Sequence, residues 1–287
     1  VGIRVINQYD FIAALKIHMM YKKLKPKIII AHGLRALKLI KMLKKDCKVV
    51  LVAHNYAIKY FREVDYIICL TRDLKRYAEN LGYKKSQICL VPNFIDATAE
   101  RVLTPPRPKN TIRLGAMGRM VHQKGFDVLL RACALLQNHQ RNYKVIIAGD
   151  GEEKAKLERL SKELKLHNVE FVGWLDNVDE FYNHIDVFCL TSRTESFGLV
   201  LLEAMSRKKL VIAPNIQGPA EIIKNHKNGI LFDSQDYRAL ANKLKLVMQN
   251  PKMIEDIAER GHVGFLSEYT IEKVAPKLGK LLKQLGA

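Results

Sequence analysis

The sequence predicts an α/β protein with two parallel-sheet domains. Short apolar, β-branched segments such as 27–32 and 143–149 alternate with amphipathic segments such as 125–139 along the 287 residues. Near-continuous apolar strands separated by helices are typical of parallel sheets that helices cover on both faces. A segment with three prolines and no apolar periodicity, residues 97–110, divides the chain. We therefore expect two domains, each Rossmann-like.

The predicted strands fall on both sides of the proline-containing segment. They are 27–32, 48–54, 66–71 and 88–93 before it, and 112–118, 143–149, 169–173, 185–191, 210–214 and 229–232 after it. The first domain opens on a helical segment, 9–25, where a doubly wound domain normally begins with a strand. We therefore expect this domain to be incomplete. The predicted domains are 1–104, 111–267 and a C-terminal helix at 268–287.

Composition argues against several classes of protein. No apolar run approaches the ~18 residues that span a bilayer, and no segment has the pattern of a secretory signal. The five cysteines are odd in number and lack C-x-x-C spacing, so we expect reduced core cysteines in a cytoplasmic protein. The nine histidines do not cluster, and neither D-x-D nor H-E-x-x-H occurs, so no bound metal is expected.

Positive charge is concentrated in the first domain. Residues 1–110 hold 22 Lys and Arg against 8 Asp and Glu, within a net charge of +19 for the whole chain. Segment 34–45 predicts an amphipathic helix with four cations on one face: Arg35, Lys38, Lys41 and Lys45. This face can be solvated, or it can meet an anionic membrane, an anionic acceptor or a nucleic acid. Nucleic acid is the weakest of these because RNP aromatics, C2H2 spacing and basic-zipper heptads are missing.

The segment 115–130 predicts a strand, a loop and a helix that begins after Gly125. Gly118 opens the loop, and Arg119 and Lys124 flank it. Ligands of open parallel sheets lie at the carboxyl ends of strands. Two cations beside a helix N-terminus suit a diphosphate, although the spacing alone fits solvated loop residues equally well.

A second turn, Gly149-Asp150-Gly151, joins a predicted strand to a predicted helix. It matches neither G-x-G-x-x-G nor a Walker motif. A tight strand-to-helix turn explains it structurally, and a nucleotide base resting on the turn would explain it functionally.

The stretch "TESFGLVLLEAM" predicts a third strand-to-helix junction. Its helix is expected to begin at Phe197 or Gly198, with Ser196 as the N-cap. The free N–H groups of the first turn would then point toward an anion at the carboxyl edge of the sheet.

Two glutamates mark this junction, Glu195 before the helix and Glu203 within it. A helical rise of about 1.5 Å per residue separates them by roughly 8–12 Å, too far to share a proton and longer than a retaining glycosidase pair. Carboxylates accept hydrogen bonds from hydroxyls, so the pair suits an extended ligand with a polyol at each end, such as a nucleotide-sugar. The alternatives are a carboxylate at a helix N-terminus for Glu195 and a core salt bridge for Glu203.

Two histidines, His32 and His54, each end an apolar strand of the first domain. A histidine at a strand end is more often structural. The other reading is a general acid or base, or a hydrogen-bond donor to the transferring sugar.

Together these segments resemble a known family. The runs "GRMVHQKGFDVLL", "IAGDGEEKAKLERL", "GPAEII" and "NGILF", with the segment 169–205 and its E-x7-E motif, resemble the donor domain of GT-B glycosyltransferases, specifically retaining family 4. "PKIIIAHG", "VVLVAHNY" and "LVPNFID" look like the later part of the acceptor domain. "YTIEKVAPKLGKLLKQLG" is similar to the C-terminal helix that packs back on that domain. The resemblance implies two Rossmann-like domains that face a cleft and close over the donor.

The resemblance also implies roles for the residues. Arg119 and Lys124 would bind the donor diphosphate, and Glu203 the ribose hydroxyls. Glu195 would contact the sugar, and His54 would lie near the anomeric carbon. The implied donor-binding set is Gly118, Arg119, Lys124, Gly149, Asp150, Glu195, Ser196, Phe197, Gly198, Leu199 and Glu203, and the implied catalytic set is His54, Glu195, Arg119 and Lys124.

The implied reaction is a retaining transfer from a UDP- or GDP-sugar that needs no metal or cofactor. The acceptor would be an anionic glycan or lipid in envelope polysaccharide, lipopolysaccharide or glycolipid synthesis, in the cytoplasm or at the inner face of the cell membrane. The family's first strands and glycine-rich loop, about 60–80 residues, have no counterpart here. A remnant that only binds the nucleotide-sugar is therefore an alternative. A GT-B epimerase is another, and the E-x7-E spacing argues against it.

Overall fold

The computed structural model describes residues 10–41, 46–60, 64–96, 111–137 and 142–286. The chain divides into two compact units, one formed by Val1–Asn93 with Glu272–Ala287 and the other by Phe94–Ile271. The predicted linker at 97–110 lies outside the described residues. The assignment of residues 1–104, 111–267 and 268–287 to acceptor domain, donor domain and returning helix stays a prediction.

The first unit contains a parallel sheet of four strands in the order β1-β2-β3-β4 within its described residues. Its elements in chain order are α1 (Phe11–Leu24), β1 (Ile28–His32), α2 (Gly33–Lys41), β2 (Lys48–Ala53), β3 (Tyr66–Cys69), α3 (Arg72–Asn80) and β4 (Ile88–Leu90). Short 3-10 helices occupy Tyr56–Tyr60 and Lys85–Gln87. Residues 42–45 of the predicted amphipathic helix 34–45, Lys45 among them, lie outside the described residues.

Helix α1 begins where the sequence predicts a helical segment. The Asp10 side chain caps it by accepting a hydrogen bond from the Ala13 N–H at 2.9 Å. Ala13 and Ala14 pack against Leu39 of α2. Ile17 of α1 also packs against this cluster, while other large apolar side chains of the same helix stay exposed, Phe11 and Leu15 among them.

The second unit contains a six-stranded parallel sheet in the order β10-β9-β8-β5-β6-β7. Its strands are β5 (Thr111–Met117), β6 (Asn142–Ala148), β7 (Val169–Gly173), β8 (Val187–Cys189), β9 (Leu210–Pro214) and β10 (Ile230–Phe232). Its helices are α4 (Phe126–Ala134), α5 (Lys154–Glu163), α6 (Val178–Asn183), α7 (Leu199–Ser206), α8 (Gln217–Ile222), α9 (Tyr237–Gln249) and α10 (Pro251–Glu268). A final helix, α11 (Ile271–Gln284), follows and belongs almost entirely to the first unit.

The strand order creates a switch point between β5 and β8. From β5 the chain builds the sheet outward through β6 and β7, and then returns to place β8 on the other side of β5. In open α/β sheets, ligands bind beyond the carboxyl ends of the strands where the order reverses in this way. The loops that follow β5 and β8 are therefore placed to form a site.

Glycines let the loops after β5 and β6 pack backbone against backbone. Gly149 has φ +126°, and a Cβ there would lie 2.0 Å from the Gly118 carbonyl oxygen. At Gly151, with φ +156°, a Cβ would lie 2.5 Å from the Met120 oxygen. Any larger residue would therefore force the two loops apart. The Gly-Asp-Gly turn is thus a structural requirement, whatever else it contacts.

Candidate active site

The loops after β5 (118–125) and after β8 (190–198) contact each other through their backbones. Gly125 adopts φ +63°, and a Cβ there would lie 2.2 Å from the Thr191 oxygen. The Thr191 hydroxyl donates to the Lys124 oxygen at 3.1 Å, and the Arg193 N–H donates to the Gln123 oxygen at 2.8 Å. Loops 118–125 and 190–198 therefore form one rigid surface at the switch point, which is the floor of the candidate site.

An ion pair fastens this floor to α4. The Arg193 guanidinium donates to both carboxylate oxygens of Asp127, at 2.9 and 2.8 Å, and to the His122 oxygen at 2.8 Å. Burial alone would raise the pKa of Asp127, but the hydrogen bonds and charge of Arg193 hold it below its ordinary value. Sequence reasoning missed both residues.

The structure brings together Lys124 and Glu195, two of the predicted catalytic residues. The Lys124 Nζ lies 2.6 Å from Glu195 Oε2, and the two side chains are 28% and 17% exposed. The Ser192 hydroxyl lies 3.5 Å from the same carboxylate oxygen. Because an ammonium has three donors, Lys124 can hold Glu195 and still donate to an anion. The alternative of a loop carboxylate near a helix N-terminus stays open, since Glu195 lies in the loop just before α7.

Arg119 differs from Lys124 because its side chain has no partner in the described part of the chain. Its side chain is exposed, and among the described residues it makes no hydrogen bond or ion pair. It follows Gly118, where φ is +153°, at the carboxyl end of β5. A guanidinium in this position can direct two parallel N–H groups toward an anion.

The start of α7 differs from the prediction. The helix begins at Leu199, and its N-cap is Gly198 in the left-handed conformation with φ +100°, so the predicted N-cap Ser196 is wrong. The Phe197 side chain is buried and packs edge-to-face on Tyr269, with ring centroids 6.1 Å apart. Phe197 can therefore contribute only its backbone to a ligand. The first N–H groups of α7 have no side-chain cap.

Glu203 lies in the middle of α7 and is partly buried. Its Oε2 accepts a hydrogen bond from the Tyr182 hydroxyl at 3.1 Å. Among the described residues its carboxylate forms no ion pair, so the alternative of a core salt bridge is not supported. A carboxylate held by a neutral phenol retains most of its acceptor capacity for hydroxyl groups.

Asp150 caps its own turn. Its Oδ1 accepts from the Gly151 N–H at 2.7 Å, and Lys154 Nζ lies 3.4 Å from its other oxygen. Both contacts lower the pKa of Asp150, and the hydrogen bond from Gly151 has the larger effect. The neighbouring Gly149 N–H donates to the Gly173 oxygen at 2.6 Å, which ties this turn to the end of β7.

In the first unit, His32 and His54 form a pair. His32 Nδ1 lies 3.1 Å from His54 Nε2, and the rings stack with centroids 5.3 Å apart. Partial burial, and then the His32 ring, lower the pKa of His54. One histidine ends β1, and the other follows the end of the adjacent β2, so parallel pairing brings them together. Sequence reasoning found each histidine but not their contact.

No cluster of three or more metal-ligating side chains occurs among the residues that the structure describes. The five cysteines are free thiols, and burial raises the pKa of four of them: Cys69, Cys89, Cys133 and Cys189.

Comparison with known proteins identifies the family. The model for glycosyl transferases group 1 matches residues 104–263, and that for glycosyltransferase family 4 matches residues 3–99. The chain belongs to this glycosyltransferase family. The predicted resemblance is therefore confirmed, whereas retaining stereochemistry and an incomplete first domain stay predictions.

Relatives and solved structures agree with this assignment. The lipopolysaccharide core biosynthesis glycosyltransferase LpsE of Rhizobium meliloti is 28% identical over 275 residues, which are 93% of this chain and 79% of the relative. The crystal structure of HepE from Anabaena with UDP-glucose has a TM-score of 0.83 at 19% identity, covering 95% of this chain and 82% of that one. A glycosyltransferase from Rickettsia africae has a TM-score of 0.82 at 18% identity, covering 99% and 84%. These structures show that the fold is the predicted GT-B fold.

The Arg193–Asp127 pair predicts a pH-dependent contribution to stability. Asp127→Asn should lower the free energy of unfolding at pH 7 by about 1–2 kcal/mol, because it removes charge-assisted hydrogen bonds. The folded-state pKa of Asp127 is lowered, so the wild type holds this advantage above the ordinary pKa of about 3.9. It loses the advantage as the pH falls through the lowered value. Urea denaturation from pH 7 to pH 3 measures the difference.

The control is Asp256→Asn, at an exposed position of α10, which should change stability by about 0.5 kcal/mol or less. A difference for Asp127→Asn that stays constant over the whole pH range would contradict the assignment.

Proposed function

We propose that the chain transfers a sugar from a UDP- or GDP-sugar to a glycan or lipid acceptor of the cell envelope, with retention and without a metal. The observation that carries the proposal is the arrangement at the switch point. The exposed guanidinium of Arg119, which is unpaired among the described residues, belongs to the same site as the ammonium of Lys124 and the start of α7, which has no side-chain cap; Glu203 follows one turn into α7. This arrangement suits a ligand in which a diphosphate is followed by a ribose.

The diphosphate would be held by Arg119, Lys124 and the first N–H groups of α7. As the sugar leaves, negative charge grows on the β-phosphate, and fixed positive groups stabilise it without rearranging. Glu195, held by Lys124, would accept hydrogen bonds from the transferring sugar. The turn at Gly149 and Asp150 would support the base.

The first unit would supply the acceptor side. The lowered pKa of His54 favours the neutral imidazole at pH 7, which can donate or accept a hydrogen bond. HepE has been crystallised with UDP-glucose, and LpsE is named for lipopolysaccharide core biosynthesis. Both names support this substrate class.

The surface of α1 supports docking to an anionic bilayer. Phe11, Leu15 and Met19 follow one another at four-residue spacing and are 74%, 59% and 56% exposed. The exposed lysines Lys22 and Lys23 continue the helix in its last turn. None of the described helices is long and apolar enough to cross a bilayer. We place the protein at the inner face of the cell membrane, with this helix lying in the lipid interface.

Nucleotide binding tests the donor site. Calorimetry with UDP and GDP should show binding of one of them to the wild type, weakened about 10-fold or more in Lys124→Ala and in Glu203→Gln. Lys156→Ala, which removes a lysine on α5 that is 70% exposed, is the charge-matched control and should bind as the wild type does. Failure of the folded wild type to bind either nucleotide would contradict the proposal, as would unchanged binding in both site variants.

The same protein tests retention and metal independence. Slow hydrolysis of the matching α-linked UDP- or GDP-sugar should continue in excess EDTA, and early proton NMR spectra should show the α-anomer of the released sugar. Inversion, or loss of turnover with EDTA, would refute that part of the proposal.

Membrane docking is tested with vesicles. The wild type should sediment with vesicles that contain phosphatidylglycerol, and Leu15→Glu should reduce the bound fraction several-fold because it places a charge on the apolar face. The control Leu135→Glu changes a leucine of the second unit that is 46% exposed and should bind normally. Equal binding by the two variants, or no binding by the wild type at low salt, would exclude docking through α1.

A further inference from the structure

Tyr182 of α6 is a buried polar side chain beside the candidate site. Its side chain has no measurable exposure, and its hydroxyl lies 3.1 Å from Glu203 Oε2 and 3.2 Å from the Val200 oxygen. Both acceptors belong to α7. The one hydrogen of this hydroxyl is shared between the two acceptors, so Tyr182 joins α6 to the helix that carries Glu203.

The ring of Tyr182 is fixed on several sides. Phe181 and Phe188 pack against it with centroids 5.2 and 5.8 Å away. The Arg207 guanidinium lies 4.9 Å from the ring centroid. Arg207 also forms an ion pair with Asp179 of α6. A ring held in this way has one orientation, so its hydroxyl has one direction.

Arg207 also fixes the backbone at Glu203. It donates from Nη1 to the Glu203 oxygen at 3.0 Å. The backbone of Glu203 is therefore bound to Arg207 and its carboxylate to Tyr182. If this position served packing alone, a phenylalanine would suffice. Its ring fills the same space and adds no buried polar group that needs a hydrogen-bond partner.

We infer that Tyr182 is a positioning residue, which holds the Glu203 carboxylate in the orientation that receives the ribose hydroxyls of the donor nucleotide. This inference rests on the proposed function of Glu203. One lone pair of Oε2 is used by the phenol, and the other lone pairs of the carboxylate stay available. A carboxylate that is already oriented loses less side-chain freedom when the ribose binds.

The protonation state of the phenol agrees with this role. Burial, and then the negative charge of Glu203, raise the pKa of Tyr182 well above its ordinary value. Arg207 opposes this shift, but the net direction is upward. The hydroxyl therefore keeps its hydrogen at neutral pH and acts as a hydrogen-bond donor to Glu203.

The test removes only the hydroxyl. Tyr182→Phe keeps the ring and should weaken binding of the preferred nucleotide, UDP or GDP, about 5- to 10-fold. The 2′,3′-dideoxy form of that nucleotide lacks the hydroxyls that Glu203 would hold, so its affinity should be the same for Tyr182→Phe and for the wild type. Adding Tyr182→Phe to Glu203→Gln should cost no further affinity, because Tyr182 acts through Glu203.

The matched control is Tyr143→Phe, which removes another buried tyrosine hydroxyl, bonded to the Cys133 oxygen at 2.8 Å near the amino end of β6. It should lower the melting temperature about as much as Tyr182→Phe and leave nucleotide binding unchanged.

Normal UDP or GDP binding by Tyr182→Phe, with weakened binding by Glu203→Gln, would overturn the inference and leave the proposed function intact. If Tyr182→Phe weakened binding of the dideoxy nucleotide as much as binding of UDP or GDP, the inference would also be overturned, because the effect would then not depend on the ribose hydroxyls. Failure of the wild type to bind either nucleotide would overturn both.

Discussion

The candidate site depends on the contact between the loop after β5 and the loop after β8. Gly125 lies so close to the Thr191 carbonyl that no side chain fits there, and the two-pronged Arg193–Asp127 pair fastens the second loop to α4. These contacts bring Lys124 and Glu195 within 2.6 Å, although 70 residues separate them in sequence. Without this contact, the cations and the start of α7 would belong to two independent loops.

The residues of this floor differ in what they do at the site. Its backbone and the Arg193–Asp127 pair provide rigidity, while Arg119 remains without a partner among the described residues. Rigid donors directed at a place where charge develops stabilise it more than mobile ones, because they need no reorganisation. The aromatic and cationic contacts around Tyr182 extend the same rigidity to Glu203. The site therefore combines fixed supports with the exposed guanidinium of Arg119.

Sequence patterns predicted the strands well, because apolar periodicity is a local property. The start of α7 was missed because Gly198 adopts a left-handed conformation and Phe197 turns into the core, so a serine preference at the N-cap did not decide the boundary. The Arg193–Asp127 pair and the His32–His54 pair depend on which strands are neighbours, which local patterns do not encode. Nothing in the local sequence marks Tyr182, and only its contact with Glu203 distinguishes it from a core aromatic residue.

The most direct measurement of the central claim is a crystal structure of this chain with UDP or GDP bound. The account predicts the diphosphate at Arg119, Lys124 and the first N–H groups of α7, with the ribose hydroxyls on Glu203 and the base near the Gly149 turn. A nucleotide bound elsewhere in the second unit would contradict it. So would a bound diphosphate at this edge of the sheet that leaves Glu203 without a contact to the ribose.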